Sequence, residues 1–197
     1  MTTTIAFKSL GLMLATSAAL LGCGGGGDAA GDANDTTGNP FVSKVGTYAS
    51  GCTKTSYPGG TPSSTNVTLV LSAPTGSSKV AANYHDQEYI GSDTCDAASL
   101  DTDITVSGTL TALSGTKVID IIKAIGGGNT ITGTASTAAF RLESLTLSKG
   151  SITLPAMGTV ANVGYLFQGS KLYALINPKG ESDQLGAYFS SVFMTKQ

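Results

Sequence analysis

Residues 104–112 read ITVSGTLTA, with Ile104, Val106, Leu110 and Ala112 on one parity and Thr105, Ser107, Thr109 and Thr111 on the other. Successive side chains of a strand point to opposite faces, so this period of two specifies a strand buried on one side and wet on the other. Val67, Leu69 and Leu71 alternate in the same way with Thr68 and Val70. Tyr165-Leu166-Phe167 and Leu172 to Ile176 flank Gly169-Ser170, which reads as a hairpin turn. Phe189 to Met194 supplies a last strand. Val80 to Tyr89 and Phe140 to Leu154 supply three more, with Lys149-Gly150 as the turn between two of them. Gly108, inside the cleanest alternating run, predicts a bend or bulge of the kind found at a barrel corner.

One stretch fits two periods. Val118, Ile121, Ile122 and Ile125 have helical spacing, yet five of the nine residues from Lys117 to Ile125 are β-branched and Gly126-Gly127-Gly128 follows. Branching at Cβ favours the extended chain, so a strand is expected here. The count is then about 8–10 antiparallel strands, an all-β fold. A two-sheet sandwich and an up-and-down, lipocalin-like barrel both fit, and closure into a barrel is preferred because it removes exposed edges. The runs are short for a barrel that spans a membrane.

The first 22 residues have a different character. Lys8 is their only charge, an apolar run extends from Ser9 to Leu21, and small Gly22 precedes Cys23. A membrane-spanning helix needs about 20 apolar residues, and this run stops at Cys23 with four glycines after it. Leu20-Leu21-Gly22-Cys23 resembles the lipobox of bacterial lipoproteins. The resemblance implies that residues 1–22 are a signal peptide and that Cys23 carries a diacylglycerol on its thiol, in the manner of palmitate-bearing lipoproteins. Each buried acyl CH₂ contributes about 0.8 kcal/mol, so several chains anchor the protein permanently. By the same resemblance Gly24, where such lipoproteins retained at the inner membrane tend to have Asp, implies the bacterial outer membrane, with the domain facing the periplasm or the cell surface.

Residues 23–40 form a tether after the lipidated cysteine: Gly24 to Pro40 holds nothing apolar larger than Ala and cannot offset the entropy of ordering. As a flexible coil it spans roughly 20–25 Å. The remaining domain, residues 41–197, is long enough for one real core. Removing Lys8 leaves ten basic residues against thirteen acidic ones, which excludes a basic patch for nucleic acid or anionic headgroups. The lipid itself is then the contact with the membrane.

With Cys23 lipidated, Cys52 and Cys95 remain, and an even pair in an exported chain reads as a disulfide. It closes about 44 residues, worth roughly 4 kcal/mol in the chain-entropy model. Between and beyond these cysteines lies an acidic cluster of Asp86, Glu88, Asp93, Asp96, Asp101 and Asp103, with Asn83 and His85 beside it. Its spacing fits no EF-hand, lacking the sixth-position Gly and twelfth-position Glu, so it reads as a disulfide-pinned acidic surface loop with no metal. His85 is expected on a strand, half-exposed, without the nucleophile and orienting partner that catalysis needs. No serine sits in a nucleophile elbow. Asp120 and Glu143 are isolated carboxylates, and Gly126 to Thr130 lacks the Lys-Ser/Thr of a phosphate cradle. No cofactor is expected, and the chain reads as non-enzymatic.

Gly46-Thr47-Tyr48 with Cys52, then YHDQEYIGSDTC (84–95), ITVSGTLT (104–111) and the terminal YFSSVFMTKQ (188–197) resemble a group of small proteobacterial lipoproteins with a lipocalin-like β-domain and no settled activity. Tyr48 stands where that group often has Trp, and this chain has none. The resemblance implies that the cysteines tie the first strand to the loop after the third or fourth. Tyr84, Phe140, Tyr165, Phe167 and Tyr173 are candidate lining residues for a small apolar ligand held inside the barrel. The other expectation is a filled core and an adaptor or inhibitor that acts through its surface on an envelope protein.

Overall fold

The computed structural model describes residues 39–55, 59–74, 79–112, 121–124, 130–132, 135–176 and 188–197. The signal segment, Cys23, the tether as far as residue 38, Asp120 and the glycine run at 126–128 lie outside these residues.

Ten strands follow in order: β1 (Gly46–Lys54), β2 (Ser63–Ser72), β3 (Val80–Ile90), β4 (Leu100–Ala112), β5 (Ile121–Ala124), β6 (Thr130–Thr132), β7 (Ala135–Lys149), β8 (Val160–Gln168), β9 (Lys171–Ile176) and β10 (Tyr188–Lys196). Single 3₁₀ turns at Val42–Lys44 and Ala97–Ser99 are the only helical pieces among the described residues. Eight strands close a ring in the order β1-β2-β3-β4-β7-β8-β9-β10, and β10 returns to β1 through Tyr48↔Lys196 and Ala49↔Thr195. Every neighbouring pair in the ring is antiparallel, so the domain is a closed up-and-down barrel, the preferred of the two folds that the alternating runs allow. The β5–β6 hairpin stands outside the ring, with β5 laid parallel against the N-terminal part of β10 at Tyr188↔Lys123 and Phe189↔Ala124. The ambiguous stretch is therefore a strand over Ile121–Ala124.

One expected strand is absent. Lys149-Gly150 does end a strand, and Gly150 has a positive φ of 100°, but Phe140 to Leu154 contributes one long strand and not two. After Gly150 the chain leaves the sheet. Ile152 packs on the core, Leu154 stands 45% exposed, and Pro155 has no N–H to offer a ladder.

The inward side chains stack in rows across β2, β3 and β4. Register places Leu71, Ala82 and Gly108 in one row, Leu69, Tyr84 and Val106 in the next, then Val67, Asp86 and Ile104, then Thr65, Glu88 and Thr102. Outward positions on the same strands are Thr68, His85, Thr105, Ser107 and Thr109, a polar exterior around an apolar interior. Gly108 has a specific task. The β4–β7 register shifts between Ser107 and Gly108, and a Cβ on Gly108 would fall on the Phe140 ring and the Arg141 carbonyl. The aromatic ring occupies the space that glycine leaves.

The rows make the barrel's two ends unlike. Where β1 begins, the chain crosses the opening and inserts Phe41, which is fully buried. Its ring meets Tyr165 edge-on at 5.7 Å and Phe167 at 6.1 Å, and Tyr48 meets Phe167 at 6.0 Å. Asn39, assigned by composition to the tether, is buried here; its Nδ2 donates to Leu110 O at 3.5 Å and its Oδ1 accepts from Phe41 N at 3.0 Å. Tyr48 is buried beside them, and its hydroxyl donates to Lys44 O at 2.7 Å. That satisfies the phenol without exposing the ring.

Candidate functional site

The interior at the opposite end is polar, and β3 makes it so. Val80, Ala82, Tyr84, Asp86 and Glu88 share one parity, and the first two are core residues, so the last three point inward as well. Asp86 is 1% exposed, between Val67 and Ile104. Glu88, one row nearer the rim, is half-buried between Thr65 and Thr102.

Asp86 has one oxygen held and one free. Thr65 Oγ1 donates to Asp86 Oδ1 at 2.8 Å. Asp86 Oδ2 is buried and has no hydrogen-bond partner among the described residues. The Tyr84 hydroxyl lies near enough to favour the charged carboxylate but does not reach hydrogen-bonding geometry with Oδ2. Burial dominates: it pushes the Asp86 carboxyl up to about 6, against smaller opposing effects of Thr65, His85 and Tyr84. Glu88 is pushed up to about 7, first by burial and then by the charges of Asp86 and Asp101. The same burial, reinforced by Asp86, Tyr165 and Glu88, raises the Tyr84 phenol well above its ordinary value. Tyr165 is raised by burial alone.

The outer wall carries the rest of the acidic cluster. His85 Nε2 and Asp103 Oδ1 lie 3.0 Å apart, and Gln87 Nε2 donates to Asp103 Oδ2 at 2.9 Å, all on the face of β3 and β4 opposite Asp86. The His85 side chain is 40% exposed, the half-exposed surface position expected of it. Asp93 pairs with Lys54 at 2.8 Å. Asp96 accepts from Ala98 N at 3.1 Å and caps the short 3₁₀ turn. The surface-loop reading thus holds for Asp93 and Asp96 but not for Asp86 and Glu88, because strand parity turns those two into the barrel. Among the described residues no group of three His, Cys, Asp or Glu side chains could hold a metal ion.

Cys52 and Cys95 form the disulfide, with Cα atoms 5.8 Å apart. Cys52 lies on β1 beside outward Asn66, and Cys95 in the loop after β3, so the bond straps that loop over the outside of β2. Ser64 Oγ fastens the strap by donating to Ser92 O at 3.0 Å and accepting from Cys95 N at 3.0 Å. Ser92 Oγ in turn accepts from Thr94 N at 3.2 Å and Asp96 N at 3.3 Å. The strap holds the β2–β3 rim where Thr65, Asp86 and Glu88 converge.

Of the five candidate lining residues, Tyr84, Phe140, Tyr165 and Phe167 face the interior. Phe140, Tyr165 and Phe167 belong to the packed end with Phe41, and only Tyr84 borders the carboxylates. Tyr173 is elsewhere. Leu172 and Ala174 take the inward parity of β9, so Tyr173 packs on Phe193 at 5.7 Å, and Phe193 is 40% exposed on the outer wall. The inward placement of Asp86 and Glu88 is signalled in the sequence by the parity they share with Val80 and Ala82. No family model, curated protein or solved structure matches the chain.

Proposed function

We propose that this is a lipid-anchored protein of the bacterial envelope, outer-membrane bound through Cys23, that binds a small ligand inside its barrel and does not transform it. The observation that carries the binding reading is the Asp86 carboxylate, buried in the barrel with Oδ2 unpartnered. An unpaired buried polar atom costs about 1–3 kcal/mol, more when charged, and a ligand donor at that point removes the cost. The non-enzymatic reading is supported by the placement of the one histidine. His85 faces outward, on the other side of the sheet from Asp86 and Glu88, so the imidazole does not serve the interior carboxylates.

Native mass spectrometry of the full chain, extracted in a mild detergent, tests this. A reproducible extra mass released on unfolding supports the binding reading, and a bare polypeptide plus its lipid contradicts it. For the anchor, radiolabelled palmitate is expected on the wild-type chain and absent from Cys23→Ser.

A second reading has its own observation. Leu154, Met157 and Val160 are 45%, 57% and 58% exposed on the segment after β7. Leu142 still bonds Thr159 O and Gly158 N, but among the described residues the β7 edge beyond it has no β8 partner in the ladder. This apolar rim suits an adaptor that docks on an envelope protein. Charged substitutions at Met157 and Val160 would abolish co-purification of such a partner and leave the barrel folded.

A further inference from the structure

Resting on the reading of the barrel as a ligand-binding interior, we infer that its acidic end takes a small organic cation, an ammonium group carried on an apolar body, with Asp86 and Glu88 as its counter-ions and Thr65 orienting Asp86.

Three observations select this class. First, Asp86 is fixed but unfinished: Thr65 Oγ1 holds Oδ1 at 2.8 Å, which leaves Oδ2, on a side chain that strand parity turns into the barrel, as a buried acceptor without a partner among the described residues. Glu88 stands two residues along the same face, about 7 Å away by strand rise, and reaches the half-exposed rim. Two acceptors, one deep and one at the mouth, suit an ammonium group that carries several N–H donors.

Second, the protein supplies no cation of its own there. Lys44, Lys171 and Lys196 lie over the rings of Phe167, Phe193 and Tyr48. Lys54 pairs with Asp93 on the outside, Lys79, Arg141 and Lys149 are exposed, and His85 is on the outer wall. Among the residues whose side chains are described, therefore, no basic group occupies the interior beside the two carboxylates. A buried acid normally has a partner or gives up its charge.

Third, the neighbouring row is apolar and aromatic. Leu69, Tyr84 and Val106 lie directly below Asp86, and Leu145 continues that row on β7. These residues are apolar surface for an amine's hydrocarbon body to lie against. Anions are repelled by both carboxylates. A bare divalent ion finds two carboxylates where calcium takes six to eight oxygens.

The groups that set the charge of this end are Tyr84, Asp86 and Glu88 on β3, Asp101 and Asp103 on β4, Tyr165 on β8, and His85 behind the wall. Burial favours protonated Asp86 and Glu88 in the empty barrel, so a bound ammonium displaces protons and binds more tightly as pH rises.

The test is calorimetric titration of the full chain in mild detergent with three probes of one shape: 2-phenylethylamine, 2-phenylethanol and phenylacetate. At pH 8 the amine is expected to bind at least ten-fold more tightly than the alcohol, and phenylacetate not at all. The amine's affinity is expected to fall at least ten-fold by pH 5, while the alcohol's does not change. Asp86→Asn and, as an independent variant, Glu88→Gln are each expected to remove the amine's advantage over the alcohol. Equal binding of amine and alcohol to the wild-type chain would overturn the cation assignment and leave the binding barrel standing. A preference for amine that survives in both variants would also overturn it, by placing the cation elsewhere. Failure of all three probes, together with a bare native mass, would overturn the cation assignment and the binding reading together.

Discussion

The two ends of the barrel face the same demand, to fill the space inside eight strands, and meet it with opposite chemistry. At one end an N-terminal segment folds back to drive Phe41 against Tyr165 and Phe167, and the phenol and amide groups drawn in with it are hydrogen-bonded. At the other, β3 sends in Asp86 and Glu88, and one buried carboxylate oxygen goes unsatisfied. The first arrangement is what stability alone selects. The second is costly, and its cost falls where a ligand would relieve it.

The contrast can be broken by mutation. Phe41→Ala removes a fully buried ring from the closed end and is expected to cost about 3–5 kcal/mol in urea unfolding, with little effect on anything bound at the acidic end. Replacing Cys52 and Cys95 together by Ser releases the strap on the acidic rim. The chain-entropy model puts this at about 4 kcal/mol, seen as a lower unfolding midpoint, and here ligand affinity is expected to fall too.

A pH series sharpens the comparison further. The carboxyl of Asp86 is raised to about 6 and that of Glu88 to about 7, from the ordinary 3.8 and 4.5. Between those limits these two groups hold more protons in the folded chain than in the unfolded one, so their contribution to stability is fully present below about pH 4, is lost as pH rises through about 7, and does not change above that. Asp86 alone accounts for about 3 kcal/mol of this decline. Asp86→Asn is expected to flatten much of the slope, and a slope unchanged by Asp86→Asn would place that carboxyl in water.

Thr65→Val deletes the hydroxyl that steadies Asp86 Oδ1. It is expected to cost about 1–3 kcal/mol at pH 8 and much less at pH 4, where the carboxyl carries a proton. Lys54→Ala breaks an ion pair whose side chains are 62% and 44% exposed. No resolvable change in melting temperature is expected from it, because solvent screens such a pair.

The strand alternation made much of this barrel legible. The Ile104–Ala112 run, the Gly169-Ser170 hairpin and the Gly108 register shift are local features, and local chemistry marks them. Barrel closure at Tyr48↔Lys196 and the parallel seat of β5 on β10 are not. They depend on which distant edge is free to pair, which no window of sequence contains. The acidic site was hidden by its own composition. Asp86 and Glu88 sit in a run with Asp93, Asp96, Asp101 and Asp103, and as a run these read as one solvated cluster. Only the face each residue takes separates the two that enter the barrel from those on the outside. Tyr173 shows the converse: an aromatic residue in an apolar run, placed outside by parity with Leu172 and Ala174.

The most direct measurement is a carboxyl-detected ¹³C NMR titration of the ligand-free protein, with Asp86→Asn and Glu88→Gln used to assign the two resonances. Midpoints near 6 for Asp86 and near 7 for Glu88 are predicted. Midpoints near 4 for both would put the carboxyls in solvent and contradict a barrel with an acidic interior.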